Sequence, residues 1–260
     1  MGKCDVDDER NDYVLTVGVL VEALHPKALI LENVLGLASD SRCSRLEARL
    51  RGLGYGLNSW NLHATALCVP QRRKRFVLIA VAGLPDDEVA DPRLEYKCTD
   101  PPSHPHSAKE VFKRVGPLKL DDPLHRPKSI DDEVLQRIRA IPRDGGSRRD
   151  LPDHLQLRCH KNLKSNGAGS VYGRMAWDEP SPTITTRCTT PACGRFLHPE
   201  EDRPVTLREA AAFQTFWPSF QWKGGAMSIA RQIGNAVPVR LAWLLTLHTI
   251  KLIERAEGRF

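Results

Sequence analysis

Hydrophobic residues recur at helical spacing in two segments near the start of the chain. Apolar side chains three or four positions apart predict a helix over Tyr13–Leu24. This helix should end at His25-Pro26, because the residue before a proline disfavours the helical conformation. Ser44–Leu53 has the same spacing, and Gly54 is typical of a helix end. The pattern therefore predicts two helices in this region.

Short apolar runs between and after these helices predict strands. Ala28–Leu31 is continuously apolar, as is typical of a strand buried on both faces. Leu57–Ala64 and Phe76–Val81 are interpreted as two further strands. Because strands and helices alternate, we expect an α/β layer with a largely parallel sheet. Three strands are few for an open α/β sheet, so the rest of the sheet is expected to come from elsewhere.

The pattern becomes irregular after Gly83. Pro85–Pro127 is rich in Pro, Asp, Lys and His, which indicates a linker leading to a second, smaller domain with a helix over Ile130–Ile141. A helix begins at Thr206, with the capping-box residue Glu209 three positions later. We expect three regions: an α/β region (1–83), a linker with an irregular domain (84–205), and helices returning to the α/β region (206–260), the last over Val239–Arg255.

Composition excludes several classes of protein. The 260 residues are 41% hydrophobic and 27% charged, which is typical of a globular chain. Apolar runs are too short to cross a bilayer, and the acidic N-terminal segment is not a secretory signal. Seven cysteines, an odd and scattered set, do not indicate a disulfide scaffold or a standard zinc site, so we expect a cytoplasmic protein without a metal.

The net charge of +6 permits a polyanionic partner without requiring one. Basic residues cluster at Arg72–Arg75, and others flank the Gly145-Gly146 turn. A solvated surface explains such clusters equally well. Charge alone therefore leaves nucleic-acid binding open.

Four segments carry candidate chemistry: PKALILEN (26–33), PQRRKR (70–75), RPVTLRE (203–209) and QIGNAVP (232–238). Each taken singly has an ordinary structural explanation. However, Glu32 and Asn33 follow a predicted strand, at the position where α/β folds place ligands. A functional role and a structural role are therefore both open for Glu32.

Taken together and in this order, with Asp8-Glu9-Arg10 before them and P-T-I-T at 182–185, these segments resemble the C-terminal part of the bacterial DNA (cytosine-5) methyltransferases. The resemblance runs from about Asp8 to the last helix. It implies part of a Rossmann-like methyltransferase sheet with a smaller, irregular target-recognition domain. It also implies that duplex DNA is the partner.

The resemblance implies roles for individual residues. Enzymes of this family flip cytosine out of the duplex, add a cysteine thiolate to C6 and so activate C5 towards the methyl group of S-adenosylmethionine. Glu32 would hold the N3 and amino edge of the base, and Asn33 would order the adjacent loop. Arg73 and Arg75 would meet the base O2 and the adjacent backbone.

The donor pocket and the recognition surface follow from the same resemblance. Asn235, Ala236 and Val237 would line the S-adenosylmethionine pocket, while Arg203 and Glu209 would be structural. The variable segment would read bases in the major groove. Its candidate DNA-binding residues are Arg174, Thr183, Thr185, Arg187 and Arg195.

Two motifs of the family are not found in the sequence: the D-L-F-x-G-x-G-G turn and the Pro-Cys-Gln loop that holds the nucleophile. Cys4 lies roughly where that loop would end, but its neighbours differ. We therefore expect the polypeptide alone to be inactive, and to work with a complementary N-terminal half in the bacterial cytoplasm, at the nucleoid. A truncated gene product and a gene model started at an internal Met remain open as alternatives.

Two other functions also remain open. One is a non-catalytic DNA-binding remnant or regulator. The other is a tRNA cytosine methyltransferase, although the long variable segment favours duplex DNA, because RNA has no readable major groove.

Overall fold

The computed structural model describes residues 12–96, 105–158 and 169–259. They form two compact units. Unit 1 contains residues 12–67, 74–96 and 241–259, and unit 2 contains residues 68–73, 105–158 and 169–240. Asp8-Glu9-Arg10, Cys4 and the segment from 159 to 168 lie outside the described residues.

Unit 1 is built on a three-stranded sheet of β1 (Ala28–Asn33), β2 (Tyr55–His63) and β4 (Lys74–Ala82), in the order β1-β4-β2. The two helices predicted before and after β1 are present as α1 (Tyr13–Leu24) and α2 (Ser41–Gly52). The Asp40 side chain caps α2 by accepting a hydrogen bond from the Arg42 amide at 2.8 Å, which places the helix start earlier than predicted.

The prediction of a largely parallel sheet is wrong for the described strands. β4 runs antiparallel to both β1 and β2, with Glu32 opposite Val77 and Leu62 opposite Arg75. The α2 crossover does give β1 and β2 the same direction, but β4 lies between them. The segment between β2 and β4 has no crossover helix, so β4 returns in the opposite direction.

The core of unit 1 lies between this sheet and helices α1 and α2. Leu46 and Leu50 of α2 are almost fully buried against Tyr55, Leu57 and Leu78 of the sheet, since they fall on one face of the helix. β4 is the best-buried strand, with continuous apolar burial from Phe76 to Val81. The prediction that Ala28–Leu31 is buried on both faces is wrong, because β1 is half-buried throughout.

β1 and α1 leave apolar surface uncovered. Within the described residues, β1 pairs on one side only, with β4. α1 is apolar on most of its circumference, with Tyr13 70% and Leu24 72% exposed. Val19 and Leu20 are also exposed. A helix that is hydrophobic all round is normally buried on all sides.

The last helix, α8 (Val239–Ala256), has most of its length in unit 1. His248 of α8 contacts the Glu95 carboxylate at 2.8 Å and the Ala90 carbonyl at 2.8 Å. Near the end of the chain, Lys27 donates to Glu257 at 2.6 Å. These contacts join the end of the chain to residues before and after the sheet.

Unit 2 contains short helices and very short strands, as predicted for the irregular domain. The helices α4 (Ala108–Val115), α6 (Leu207–Phe213) and α7 (Ala226–Asn235) surround a core that includes Phe112, Ile184, Phe213 and Ile233. A second core lies around α5 (Asp132–Ala140), which confirms the helix predicted at Ile130–Ile141. β3 (Gln71–Arg72) pairs in parallel with β5 (Ser181–Pro182).

The capping box predicted at Thr206 is confirmed. The Glu209 amide donates to Thr206 Oγ1 at 3.1 Å, and the Thr206 amide donates to Glu209 Oε2 at 2.7 Å. The boundary expected at 206 is not the boundary between units, because α6 and α7 belong to unit 2 and unit 1 resumes at Leu241. A short helix, α3 (Pro92–Glu95), completes the described helices.

The stretch Ala226–Ala256 is long and apolar enough to cross a membrane by length and composition. It is not one straight helix, because Ala236 is extended and Pro238 separates α7 from α8. Residues of both helices are buried in the core. Each of the two helices therefore uses part of its apolar surface in packing.

Candidate functional site

Glu32 and Arg75, two predicted site residues, form an ion pair in unit 1. Glu32 is the fifth residue of β1, and Arg75 is the second residue of the antiparallel neighbour β4. The Arg75 Nε lies 3.0 Å from Glu32 Oε1, and each side chain is 17% exposed. A carboxylate and a guanidinium are thus held together at one end of the sheet, partly shielded from water.

Asn33 ends β1 beside this ion pair. Its side-chain Oδ1 accepts a hydrogen bond from the Val34 amide at 2.8 Å, and so begins the turn into the short helix Leu35–Ser39. Asn is favoured at such a position because its side chain bonds to nearby backbone and competes with the strand ladder. This contact fixes the direction of the chain directly after Glu32.

Arg73 lies in unit 2 and is only 3% exposed. Its segment is held by β5: the Ser181 amide and hydroxyl both donate to the Pro70 carbonyl, at 3.0 and 3.1 Å. Thr183, a predicted DNA-binding residue, donates from its hydroxyl to the Arg72 carbonyl at 2.9 Å. The arginine segment and the P-T-I-T segment are therefore one hydrogen-bonded structure.

The QIGNAVP segment packs against the same P-T-I-T segment. A Cβ atom on Gly234 would lie 2.2 Å from the backbone of Thr185 and of Thr186, a distance that real Cβ atoms do not reach. Glycine is therefore required at position 234, because the backbone there lies directly against the backbone of Thr185 and Thr186. Immediately after it, Asn235 is exposed at the end of α7, and Ala236 and Val237 are half-buried.

Asn235, Ala236 and Val237 give one exposed amide beside two apolar side chains. This donor set fits one wall of a pocket for a ligand with both polar and apolar parts, such as S-adenosylmethionine. A glycine-rich turn that would receive the rest of that ligand is not found in the sequence.

Arg174, a candidate DNA-binding residue, lies in the core of unit 2 and is not placed to contact a base in this structure. Arg174 is 0% exposed. Its guanidinium donates to Asp202 Oδ1 at 2.6 Å and to four backbone carbonyls, those of residues 138, 141, 198 and 201. With its donors engaged and water excluded, Arg174 cannot reach DNA without opening the core. Arg174 was selected from the sequence for its positive charge, and a charge does not show whether a side chain is buried.

The other predicted DNA-binding residues differ in exposure. Arg195 is half-buried, and its Nη1 donates to the carbonyls of Gly145, Gly146 and Arg174 at 2.6 to 3.1 Å, which are structural contacts. Thr185, the last residue of P-T-I-T, and Arg187, two positions later, are both exposed. Of the five residues, these two therefore have side chains placed to meet a partner.

Arg203 and Glu209 form a buried ion pair in unit 2. Two nitrogens of Arg203 donate to the two carboxylate oxygens of Glu209, at 2.8 and 2.9 Å. Burial favours the neutral carboxyl, yet the contacts from His125 and Arg203 outweigh it and lower the pKa of Glu209 to about 2. His125 Nε2 is 3.8 Å from the carboxylate, beyond hydrogen-bond range, so Arg203 carries most of the effect.

Cys188 is buried in unit 2, and burial raises the pKa of its thiol to about 12, which is the opposite of a reactive cysteine. Cys193 is half-buried and also free. In the described parts of the chain, His, Cys, Asp and Glu side chains form no group of three that would hold a metal ion.

Sequence reasoning missed two buried glutamines, Gln71 and Gln214. Both are 0% exposed, and Gln71 Nε2 donates to Gln214 Oε1 at 3.0 Å. Gln71 lies inside PQRRKR, where the arginines drew attention, and Gln214 lies outside the four segments. Only Gln71 could have been singled out from the sequence, because it is an uncharged polar residue next to the arginines of a basic motif.

Comparison with known proteins agrees with the order of these segments. The family model described as C-5 cytosine-specific DNA methylase matches residues 1–250. The chain belongs to this family. The resemblance inferred from the motifs is thereby confirmed, as is the mixed α/β fold class.

Two bacterial methylases show the extent of the likeness. The Type II methylase M.HgiDII of Herpetosiphon aurantiacus is 33% identical over 256 residues, covering 92% of this chain and 69% of that protein. The Type II methyltransferase M.Eco47II of Escherichia coli is 30% identical over 265 residues, covering 99% of this chain and 61% of that protein. The chain thus spans 69% and 61% of the length of these two relatives.

Solved structures share the fold. A putative DNA modification methyltransferase encoded within an Escherichia coli prophage superposes with a TM-score of 0.63 at 18% identity, covering 96% of this chain and 76% of that chain. The Dnmt2 methyltransferase of S. pombe superposes with a TM-score of 0.60 at 15% identity, covering 95% and 72%.

Proposed function

We propose that this chain is the base-holding and target-recognition component of a DNA (cytosine-5) methyltransferase of restriction–modification type. It would act on duplex DNA with S-adenosylmethionine as methyl donor, in the bacterial cytoplasm at the nucleoid. The observation that carries the proposal is the Glu32–Arg75 ion pair, at the strand end where the family places its base-binding glutamate. The names of the bacterial relatives support the reaction type.

Glu32 supplies the chemistry that a flipped cytosine requires. One carboxyl oxygen accepts a hydrogen bond from the exocyclic amino group, and the other, when protonated, donates to N3 and so neutralises the negative charge that develops there during attack on C6. Arg75 holds Glu32 in a fixed direction, and Asn33 fixes the backbone that follows. Preorganisation of this kind lowers the barrier because no reorientation is needed during the reaction.

The donor side would be completed by Asn235, Ala236 and Val237. S-adenosylmethionine, when bound, supplies the methyl group. The exposed Asn235 amide would bind its polar end, and Val237 would contact an apolar part. On the recognition side, Thr185 and Arg187 would meet DNA, because both are exposed on one loop.

The nucleophile and the glycine-rich turn would be supplied by a complementary N-terminal part, on this polypeptide or on another. Its docking surface would be β1 together with α1. β1 offers a strand edge with backbone donors and acceptors, and α1 adds four exposed apolar side chains, those of Tyr13, Val19, Leu20 and Leu24. An added strand satisfies such an edge, and its partner helices would cover the apolar face.

The test is a methyl-transfer assay with radiolabelled S-adenosylmethionine and unmethylated duplex DNA of mixed sequence. We expect no transfer by the chain alone. Transfer should appear when a fragment carrying the D-L-F-x-G-x-G-G turn and the Pro-Cys-Gln loop is added. No transfer with any such fragment, combined with retained DNA binding, would instead favour a non-catalytic DNA-binding protein. Faster transfer to tRNA than to duplex DNA would overturn the substrate assignment.

Glu32→Ala tests the assigned role within the complemented enzyme. Transfer should fall by about a thousandfold or more, as expected when an electrostatic group is removed from a reaction centre. DNA affinity should change little. Glu257→Ala is the matched control, because it removes an exposed ion pair of unit 1, with Lys27, away from the proposed site. Near-normal turnover of Glu32→Ala would refute the role.

A further inference from the structure

The side chains of Gln71 and Gln214 form a buried connection inside unit 2. Gln71 Oε1 accepts a hydrogen bond from the Ile184 amide at 3.0 Å, in the P-T-I-T segment. Gln71 Nε2 donates to Gln214 Oε1 at 3.0 Å and contacts the Phe213 carbonyl at 3.3 Å. The arginine segment thus reaches the P-T-I-T segment and the end of α6 through one side chain.

Gln214 continues the connection to the QIGNAVP segment. Its Nε2 donates to the Ile233 carbonyl at 2.6 Å and to the Ala236 carbonyl at 3.2 Å. Its backbone carbonyl accepts from the Val239 amide at 3.1 Å. Two glutamines therefore link three chain segments that are far apart in the sequence, at residues 70–73, 182–186 and 233–239.

Packing alone does not require amides at these two positions. Leucine has a similar volume, and an apolar side chain avoids the cost of burying a polar group. Amides differ in that their hydrogen bonds have direction, so they accept one arrangement of the surrounding backbone and penalise others. The Ile184 amide and the Ala236 carbonyl would lose these partners if either segment shifted.

We propose that Gln214, acting through Gln71, is a positioning residue that fixes the donor-side turn at Asn235–Val237 relative to the Arg73 segment. The functional meaning of these two segments rests on the proposed methyltransferase activity. The physical coupling between the segments does not rest on it, so the coupling is tested without measuring methyl transfer.

The experiment measures hydrogen exchange of backbone amides in the full chain by mass spectrometry. The variants are Gln214→Leu and Gln71→Leu. The matched control is Gln221→Leu, since the exposed Gln221 amide in the same unit also donates to a backbone carbonyl, that of Ser219, at 3.2 Å. Peptides covering 182–188 and 236–241 measure exchange in the two segments. A peptide covering the β4 strand of unit 1 is the reference.

Gln71→Leu gives the decisive result. The side-chain hydrogen bonds of Gln71 go to residues 184, 213 and 214. Exchange in 236–241 should nevertheless rise by about tenfold, because Gln214 loses the donor that holds its amide in place. Gln214→Leu should raise exchange in both 182–188 and 236–241, with β4 unchanged. If Gln71→Leu affects only 182–188, the segments are not coupled and the proposal is overturned.

Gln214→Glu separates positioning from simple loss of packing, and it carries the test if Gln214→Leu fails to fold. A protonated carboxyl keeps one donor and one acceptor, whereas the ionised form places negative charge against two carbonyls. Protection of 236–241, corrected for intrinsic rates, should therefore recover as the pH is lowered from about 8 to about 5. Protection of 236–241 that stays at the wild-type level over this whole pH range would contradict the role. None of these outcomes depends on methyl transfer.

Discussion

Arg174→Met separates a structural arginine from one that reads DNA. The change keeps most of the side-chain volume and removes every donor of the guanidinium. Four backbone carbonyls and the Asp202 carboxylate each lose the hydrogen bond from Arg174, although the carbonyls of residues 138 and 201 keep one from a backbone amide. At roughly 1 kcal/mol for each of the four carbonyl hydrogen bonds removed, the loss is about 4 kcal/mol. A folded domain has a total stability of only about 5–15 kcal/mol.

Urea unfolding followed by tryptophan fluorescence measures this loss, because Trp177, Trp217 and Trp222 all lie in unit 2. The matched control is Arg187→Met, on the exposed loop, which should change stability by less than about 0.5 kcal/mol. Binding of duplex DNA at several salt concentrations completes the comparison, and Arg187→Met should weaken it and reduce its salt dependence. An Arg174→Met protein with normal stability and lost DNA binding would refute the reasoning.

Two further predictions concern stability. Gly234→Ala should lower the melting temperature of unit 2 by several degrees, because its methyl group meets the Thr185 backbone; Gly36→Ala, with open space around it, should not. Acid should destabilise unit 2. Since the folded pKa of Glu209 is about 2 against an ordinary 4.5, its stabilisation is complete above pH 4.5 and is lost as pH falls towards 2. The urea concentration at the midpoint of unfolding should therefore fall from pH 7 to pH 3. Below pH 4.5 it should fall less steeply in Glu209→Gln than in the wild-type protein. Equal slopes in the two proteins would contradict this role of Glu209.

Buried histidine adds to the same acid response. Burial and the nearby Arg203 charge lower the pKa of His198 to about 4, and its Nδ1 accepts hydrogen bonds from the amides of Glu200 and Glu201. Because the unfolded chain binds this proton more readily, stability is lost as pH falls from about 6.5 towards 4. The acid response should thus begin well above the range in which Glu209 titrates.

Periodicity predicted the helices well and the sheet only in part. α1, α5 and α8 fell close to their predicted bounds, because helical spacing is specific over ten or more residues. The strands were found, but their pairing was not. A run such as Phe76–Val81 records burial, and burial is the same whether the neighbouring strand is parallel or antiparallel.

The candidate site was also predicted from the sequence only in part. The position of Glu32 at a strand end was predicted from local sequence, and Arg75 stands next to it because β4 is the neighbour of β1. Arg174 was misjudged since its partners lie 24 to 36 residues away. The Gln71–Gln214 contact spans 143 residues and joins two uncharged side chains, so no local pattern indicates it.

The discontinuity of unit 1 also bears on how the chain folds during synthesis. Chains fold domain by domain as they emerge from the ribosome. Apart from residues 68–73, the described residues of unit 2 lie between residues 105 and 240, so all of them have been made before most of the last helix. Unit 1 cannot be completed until His248 has been synthesised and can contact Glu95 and Ala90. A late stop codon would therefore damage the unit that begins the chain and spare the unit that follows it.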